Sequence, residues 1–125
     1  MEIICIIFYD FKNDNLETLK ITEDEKMQIR NFLKHEEVKN IKHAKTYKEH
    51  EILFEKDGAN YHGFIDLLVE YEDHFDIIDY KLSNTDSKEY KVQLSGYKLY
   101  IEEVYQKPVN IYLYSIKKDS FKKLS

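Results

Sequence analysis

The sequence predicts a mixed α/β fold, one sheet with helices packed on it, and three stretches carry that expectation. Residues 63–69 and 75–81 are apolar and rich in β-branched side chains, so each reads as a strand. The short polar run 70–74 between them reads as a hairpin connection. From 88 to 106, Tyr90, Leu94, Tyr97, Ile101, Val104 and Tyr105 recur at spacings of three and four, the pattern of an amphipathic helix. Further upstream, Thr22-Glu23-Asp24-Glu25 has the form of a capping box ahead of Ile29, Phe32 and Leu33.

Taken in order, residues 2–9 are nearly all apolar and predict an extra, buried N-terminal strand. Residues 11–20, with Asn13, Asp14 and Asn15, predict a turn or short hairpin. A helix is expected over about 23–40, with acids in its first turn and lysines later, as the helix dipole prefers. Residues 47–55 alternate loosely and predict the first core strand. Asp57-Gly58 signals a tight turn into the central hairpin. Ser83 to Asp86 reads as a loop and helix start, and Lys107-Pro108 stops the long helix before a last strand over 109–116. The expected order is helix, three strands, helix, strand, preceded by the extra strand. The whole chain, 1–125, reads as one domain, with a core at about 22–116, an N-terminal extension at 1–20 and a basic tail at 117–125.

Composition narrows the class. A chain of 125 residues can bury a core without staples, and 42% hydrophobic with 34% charged residues is an ordinary globular balance. The single cysteine, Cys5, lies in an apolar run. It rules out a disulfide framework, and a reducing cytoplasm is the default expectation. The apolar run 3–8 is too short to span a bilayer and lacks the basic start of a signal peptide, so no membrane partner is expected. No G-x-x-x-x-G-K-[ST] loop occurs, so no nucleotide is expected. The histidines His35, His43, His50, His62 and His74 form no zinc pattern. A formal charge of −5 does not favour nucleic acid, although local patches matter more than totals. Lys117, Lys118, Lys122 and Lys123 make one such patch, a candidate phosphate-contacting strip.

The chemistry concentrates in Asp66, Asp79 and Lys81. If the connecting loop is centred between Glu72 and Asp73, Asp66 faces Asp79 on the neighbouring strand. Facing residues have Cβ atoms roughly 4.5–5.5 Å apart, and like charges there repel. Flanking Ile65, Leu67, Ile77 and Ile78 would partly desolvate both acids. Either one is protonated or something positive sits between them, and a divalent cation suits that gap. Strand alternation puts Lys81 on the face of Asp79.

These residues resemble the PD-(D/E)XK nuclease superfamily, specifically the RecB-like exonuclease domains at the C-terminus of helicase–nucleases, here in truncated form. The resemblance runs over roughly residues 47–116. Its pieces are Glu51-Ile52-Leu53-Phe54, then Gly63-Phe64-Ile65-Asp66, then Asp79-Tyr80-Lys81, then a helix with Gln93, Leu94 and Tyr97. It implies a restriction-endonuclease-like core and a Mg²⁺ or Mn²⁺ ion held by Asp66, Asp79 and the Tyr80 carbonyl, with Glu51 as a further acid. Lys81 would be catalytic. Gln93 and Tyr97 would order the site from the helix, with Tyr97 either reaching toward the phosphate or simply packing in the core. Some relatives carry a four-cysteine iron–sulfur cluster, which one cysteine cannot build. A catalytic histidine usually precedes the first core strand in the family. His35 is the nearest candidate, at a spacing that does not match. The resemblance implies three alternative functions: a metal-dependent DNA nuclease in repair or recombination, an inactive nuclease-like DNA-binding or assembly module, and a remnant that works with a helicase subunit or a second nuclease-like chain.

Overall fold

The computed structural model describes residues 4–81 and 88–125. Its elements are α1 (Ile4–Phe8), α2 (Glu23–Leu33), β1 (Lys45–Lys56), β2 (Ala59–Glu70), β3 (Phe75–Lys81), α3 (Lys88–Tyr105), β4 (Val109–Ser115) and β5 (Ser120–Lys123). The five strands form one sheet in sequential order. β1 to β3 are an antiparallel meander, β3 and β4 run parallel across the α3 crossover, and β5 returns antiparallel to β4. The expected mixed fold is the observed one. Among the described residues no helix is long and apolar enough to cross a membrane.

Two apolar cores cover the two faces. Ile6, Phe11, Ile29, Phe32, Val38 and Ile41 pack with Leu67, Ile78, Tyr80 and Tyr114 on one face. On the other, Leu94, Tyr97 and Ile101 of α3 pack on Ile52, Ile65, Ile77, Ile111 and Leu113.

The N-terminal strand is corrected. Residues 4–8 are helical, with Ile6 buried and Phe8 exposed, because a short apolar run has no periodicity that separates a strand from a buried helical turn. Of the turn or short hairpin expected at 11–20, the structure has the turn, followed by a 3₁₀ turn at Leu16–Thr18. Asp10 accepts the Lys12 and Asn13 N–H groups at 3.0 Å, and Asn15 caps Leu16–Thr18. The capping box at Thr22 and Glu25 is complete, but α2 stops at Leu33 rather than 40. His35 leaves the helical backbone, and two 3₁₀ turns, Glu36–Val38 and Ile41–His43, keep Val38 and Ile41 in the core. Such turns bury residues at the spacing a helix would, so the apolar pattern alone overruns the helix end. Asp57 and Gly58 take positive φ at the β1–β2 turn, as the Asp-Gly signal predicts. The loop and helix start expected at Ser83 to Asp86 lie outside the described residues. The basic tail is no tail: β5 pairs with β4, and Leu124 N–H donates to the Ile111 carbonyl at 2.8 Å.

Phe32 is the hub of the α2-side core, fully buried, with the rings of Phe11, Tyr80, Tyr114 and Phe121 at centroid distances of 5.9, 5.9, 5.0 and 5.5 Å. Phe32→Ala should therefore lower stability by about 3–5 kcal/mol. Urea unfolding, with the midpoint shifted at unchanged slope, checks it.

Candidate active site

β2 and β3 meet in the expected register, Leu67 opposite Ile78 and Leu68 opposite Ile77. One step further Asp66 would face Asp79, and there the ladder ends. Asp66 Oδ2 instead accepts the Tyr80 backbone N–H at 3.0 Å. The β1–β2 ladder skips the same residue: Lys48 faces Leu67 and His50 faces Ile65, with Glu49 between them at φ 48°. Both strands change face here. Leu67 and Val69 pack toward α2, whereas Ile65 packs toward α3 despite sharing their parity. Unbroken alternation would put all three on one side. An unpaired Glu49 with positive φ, at an unchanged register, interrupts it and leaves Asp66 at a gap in two ladders.

Asp79 is buried, at 4% exposure. Lys81 Nζ lies 3.4 Å from Asp79 Oδ2, so both side chains share one face as alternation requires. The positive group beside the buried acid is thus, in the first instance, the chain's own ammonium. From α3, Gln93 Nε2 donates to Tyr97 Oη at 2.7 Å. Tyr97 is 2% exposed, so it packs in the core and does not reach solvent. Burial raises its pKa, the Gln93 hydrogen bond opposes this, and the nearby Asp79 charge adds to the rise. Burial also holds the Tyr80 phenol far above its ordinary range, with Asp66 and Asp79 contributing.

Other expected residues fall elsewhere. Glu51 is exposed on β1 opposite Phe64, and its carboxylate meets His62 Nε2 at 2.9 Å. Among the described residues no three His, Cys, Asp or Glu side chains converge as a metal cluster, so Glu51 does not join Asp66 and Asp79 as a third acid. The lysines divide. Lys117 and Lys118 follow β4, whose Ser115 is level with Lys81, and Ile116 N–H donates to the Lys81 carbonyl at 2.8 Å. Lys122 and Lys123 pair opposite Leu113 and Tyr112, farther back along the sheet.

His35 is not near Asp79. Its ring packs on Tyr114 and Phe121 on the α2 face, and its Nε2 meets Asp119 Oδ1 at 2.7 Å. Tyr114 Oη donates to the same oxygen at 2.7 Å, and Lys34 Nζ lies 3.5 Å from Oδ2. Sequence has no means of finding this cluster, because its members are 84 residues apart. Nor does it single out a buried acid at the start of β3. Asp76 Oδ1 accepts from Asn110 Nδ2 at 3.0 Å, and burial raises its pKa. It lines an open cleft of about 630 Å³ with Tyr71, His74, Tyr112 and Lys123, at the opposite end of β3 from Asp79.

A profile of the PD-(D/E)XK nuclease superfamily matches residues 11–124, nearly the whole chain. The chain belongs to that superfamily, whose members are usually nucleases, generally use divalent metal ions and act on DNA. A search of curated proteins finds no match.

The Asp119 cluster has a pH signature. Burial pushes its carboxyl up, but His35, Tyr114 and Lys34 outweigh this and hold it below 3.8. A folded value below the unfolded one means stability that is present above the unfolded pKa and lost as pH falls through the folded one. Asp119→Asn should cost about 1.5 kcal/mol at neutral pH, and the gap to wild type should close below pH 3.8. Thermal unfolding of both proteins from pH 7 to 2.5 measures that gap.

Proposed function

We propose that the chain is a divalent-metal-dependent deoxyribonuclease domain of the RecB-like kind, cutting from DNA ends in repair or recombination in the cytoplasm, with a helicase subunit as its natural companion. The observation that carries it is the Asp79–Lys81 ion pair of 3.4 Å beside Asp66 at the break in the ladder. The donor set fits the ion the family uses. Two carboxylates and a main-chain carbonyl are hard oxygens, and Mg²⁺ commonly takes one or two carboxylates with water and phosphate completing its shell. Asp66, Asp79 and the Tyr80 carbonyl would hold it. When bound, the ion supplies Lewis acidity to the phosphate and a more acidic water.

The chain's own groups do the rest. Asp66 is oriented by the Tyr80 N–H, so its carboxylate is held rather than searching rotamers. Lys81, with its side chain 29% exposed, can turn its ammonium from Asp79 toward a phosphate oxygen and stabilise the charge that develops there. Lys117 and Lys118 stand next to the Lys81 end of the sheet and meet the DNA backbone. A second reading, a nuclease-like domain that binds DNA without cutting, is favoured by His35, which Asp119 engages on the other face.

Linear single- and double-stranded DNA with Mg²⁺ or Mn²⁺ separates the two. Under the first reading wild type cuts, while Asp79→Asn and Lys81→Met each lose about a hundred- to a thousandfold in kcat and keep DNA affinity within a few-fold. Binding with no cutting by wild type selects the second. Lys117→Glu with Lys118→Glu should weaken DNA binding and flatten its salt dependence by up to about 0.9 log units for each phosphate no longer neutralised. The same change at Lys122 and Lys123 should do less, and titrations at two salt concentrations decide it.

A further inference from the structure

Gly63 sits inside β2 opposite Ile52, on the face that α3 covers. Glycine weakens a strand interior, and one found there often marks a close approach of another group. Its φ is not positive, since Gly58 is the one glycine with that conformation, so the backbone does not require glycine at 63. Space does. A Cβ at this position would lie 1.7 Å from Tyr97 Oη, 2.9 Å from Tyr97 Cζ and 3.1 Å from Gln93 Nε2.

The Tyr97 ring has little room to move aside. It is wedged in the α3-side core with Ile52, Ile65, Leu94 and Ile101. Its hydroxyl therefore fills the space a side chain at 63 would take, and the Gln93 amide closes over that hydroxyl at 2.7 Å. The same hydroxyl is near enough to respond to the Asp79 charge. Asp66 lies three residues further along β2, at the break in the ladder. One missing methyl group thus links the helix to the strand that carries the acid.

We propose that Gly63 is a positioning residue for the chemistry at Asp66 and Asp79, a role that rests on the nuclease reading above: the absent side chain is the socket that seats the Tyr97 hydroxyl, and the seated hydroxyl fixes the Gln93 amide beside β2. Neither Gly63 nor the buried Tyr97 touches substrate. Their effect passes through the distance between α3 and β2.

The test compares wild type, Gly63→Ala, Tyr97→Phe and the double variant on linear DNA with Mn²⁺, reading kcat, KM and thermal unfolding together. Gly63→Ala should keep cooperative unfolding and an unchanged KM while kcat falls about a hundredfold, the order that a misplacement of roughly 1 Å costs. Tyr97→Phe should lower kcat in the same sense. The double variant should cut no worse than Gly63→Ala, because both changes act through one hydroxyl and cannot multiply. An unimpaired Gly63→Ala, or impairments that multiply in the double, overturns the proposal. If Gly63→Ala fails to fold, Tyr97→Phe decides, since it keeps the ring, and a wild-type kcat from it overturns the proposal equally. A wild type that binds DNA and never cuts sinks the nuclease reading and this role with it. A cutting wild type beside an unimpaired Gly63→Ala sinks this role alone.

Discussion

One hydrogen bond governs the geometry of the site: the Tyr80 N–H to Asp66 Oδ2, 3.0 Å. Where the β2–β3 ladder stops, this buried N–H loses its carbonyl partner, and leaving such a donor unsatisfied costs about 1–3 kcal/mol. A carboxylate is a stronger acceptor than the carbonyl it replaces. The substitution stabilises the break and holds the Asp66 charge at the strand margin instead of on one face. β1 follows with its own irregularity at Glu49, and the meander rotates so that Ile65 and Leu67 serve different cores. A fully paired sheet would have turned Asp66 onto a single face, two residues from Leu68, with no opening beside it.

The buried acid across the break needs a different account. Replacing a buried ion pair with apolar residues is often neutral or stabilising, so stability alone is a poor reason for Asp79 and Lys81 in a strand that also carries Phe75, Ile77 and Ile78. Asp76, on the same strand, is satisfied by Asn110 from the parallel neighbour and lies by the opposite cleft. Asp79 meets a lysine with a partly exposed head, a partner that can leave when a better-placed anion arrives. That difference, rather than burial, is what matches Asp79 and not Asp76 to the role proposed for it.

Much of this is legible in the residues. The β2–β3 register follows from loop length and strand pattern, because a one-residue slip would send Ile77 and Leu68 to the wrong core. The capping box and the period of α3 are local signals, and both elements form where those signals stand. What the residues hide is non-local or degenerate. Nothing near Leu33 announces the end of α2, and His35, which leaves the helical backbone there, meets Asp119 on a distant hairpin. Residues 4–8 carry hydrophobicity without periodicity. Glu49 takes positive φ with no glycine or proline to mark the interruption. Tyr97 is legible as an α3 residue facing the sheet, but only Gly63, a glycine inside a strand, hints how near the sheet it comes.

Topology then explains why these groups gather where they do. β3 and β4 are the parallel pair of this sheet, so both strands leave at the same end, and α3 enters from that end as well. Open sheets with such a crossover present their strand carboxyl ends as the natural place for a ligand. Lys81, Ser115, Lys117 and the first turn of α3 all issue there, while Asp66 reaches it from β2 because its ladder has opened. The antiparallel meander alone would have spread the same side chains along a flat face. Antiparallel pairing brings Asp66 to the Tyr80 N–H beside Asp79, the parallel crossover supplies the helix over them, and the proposed site lies where the two kinds of pairing meet.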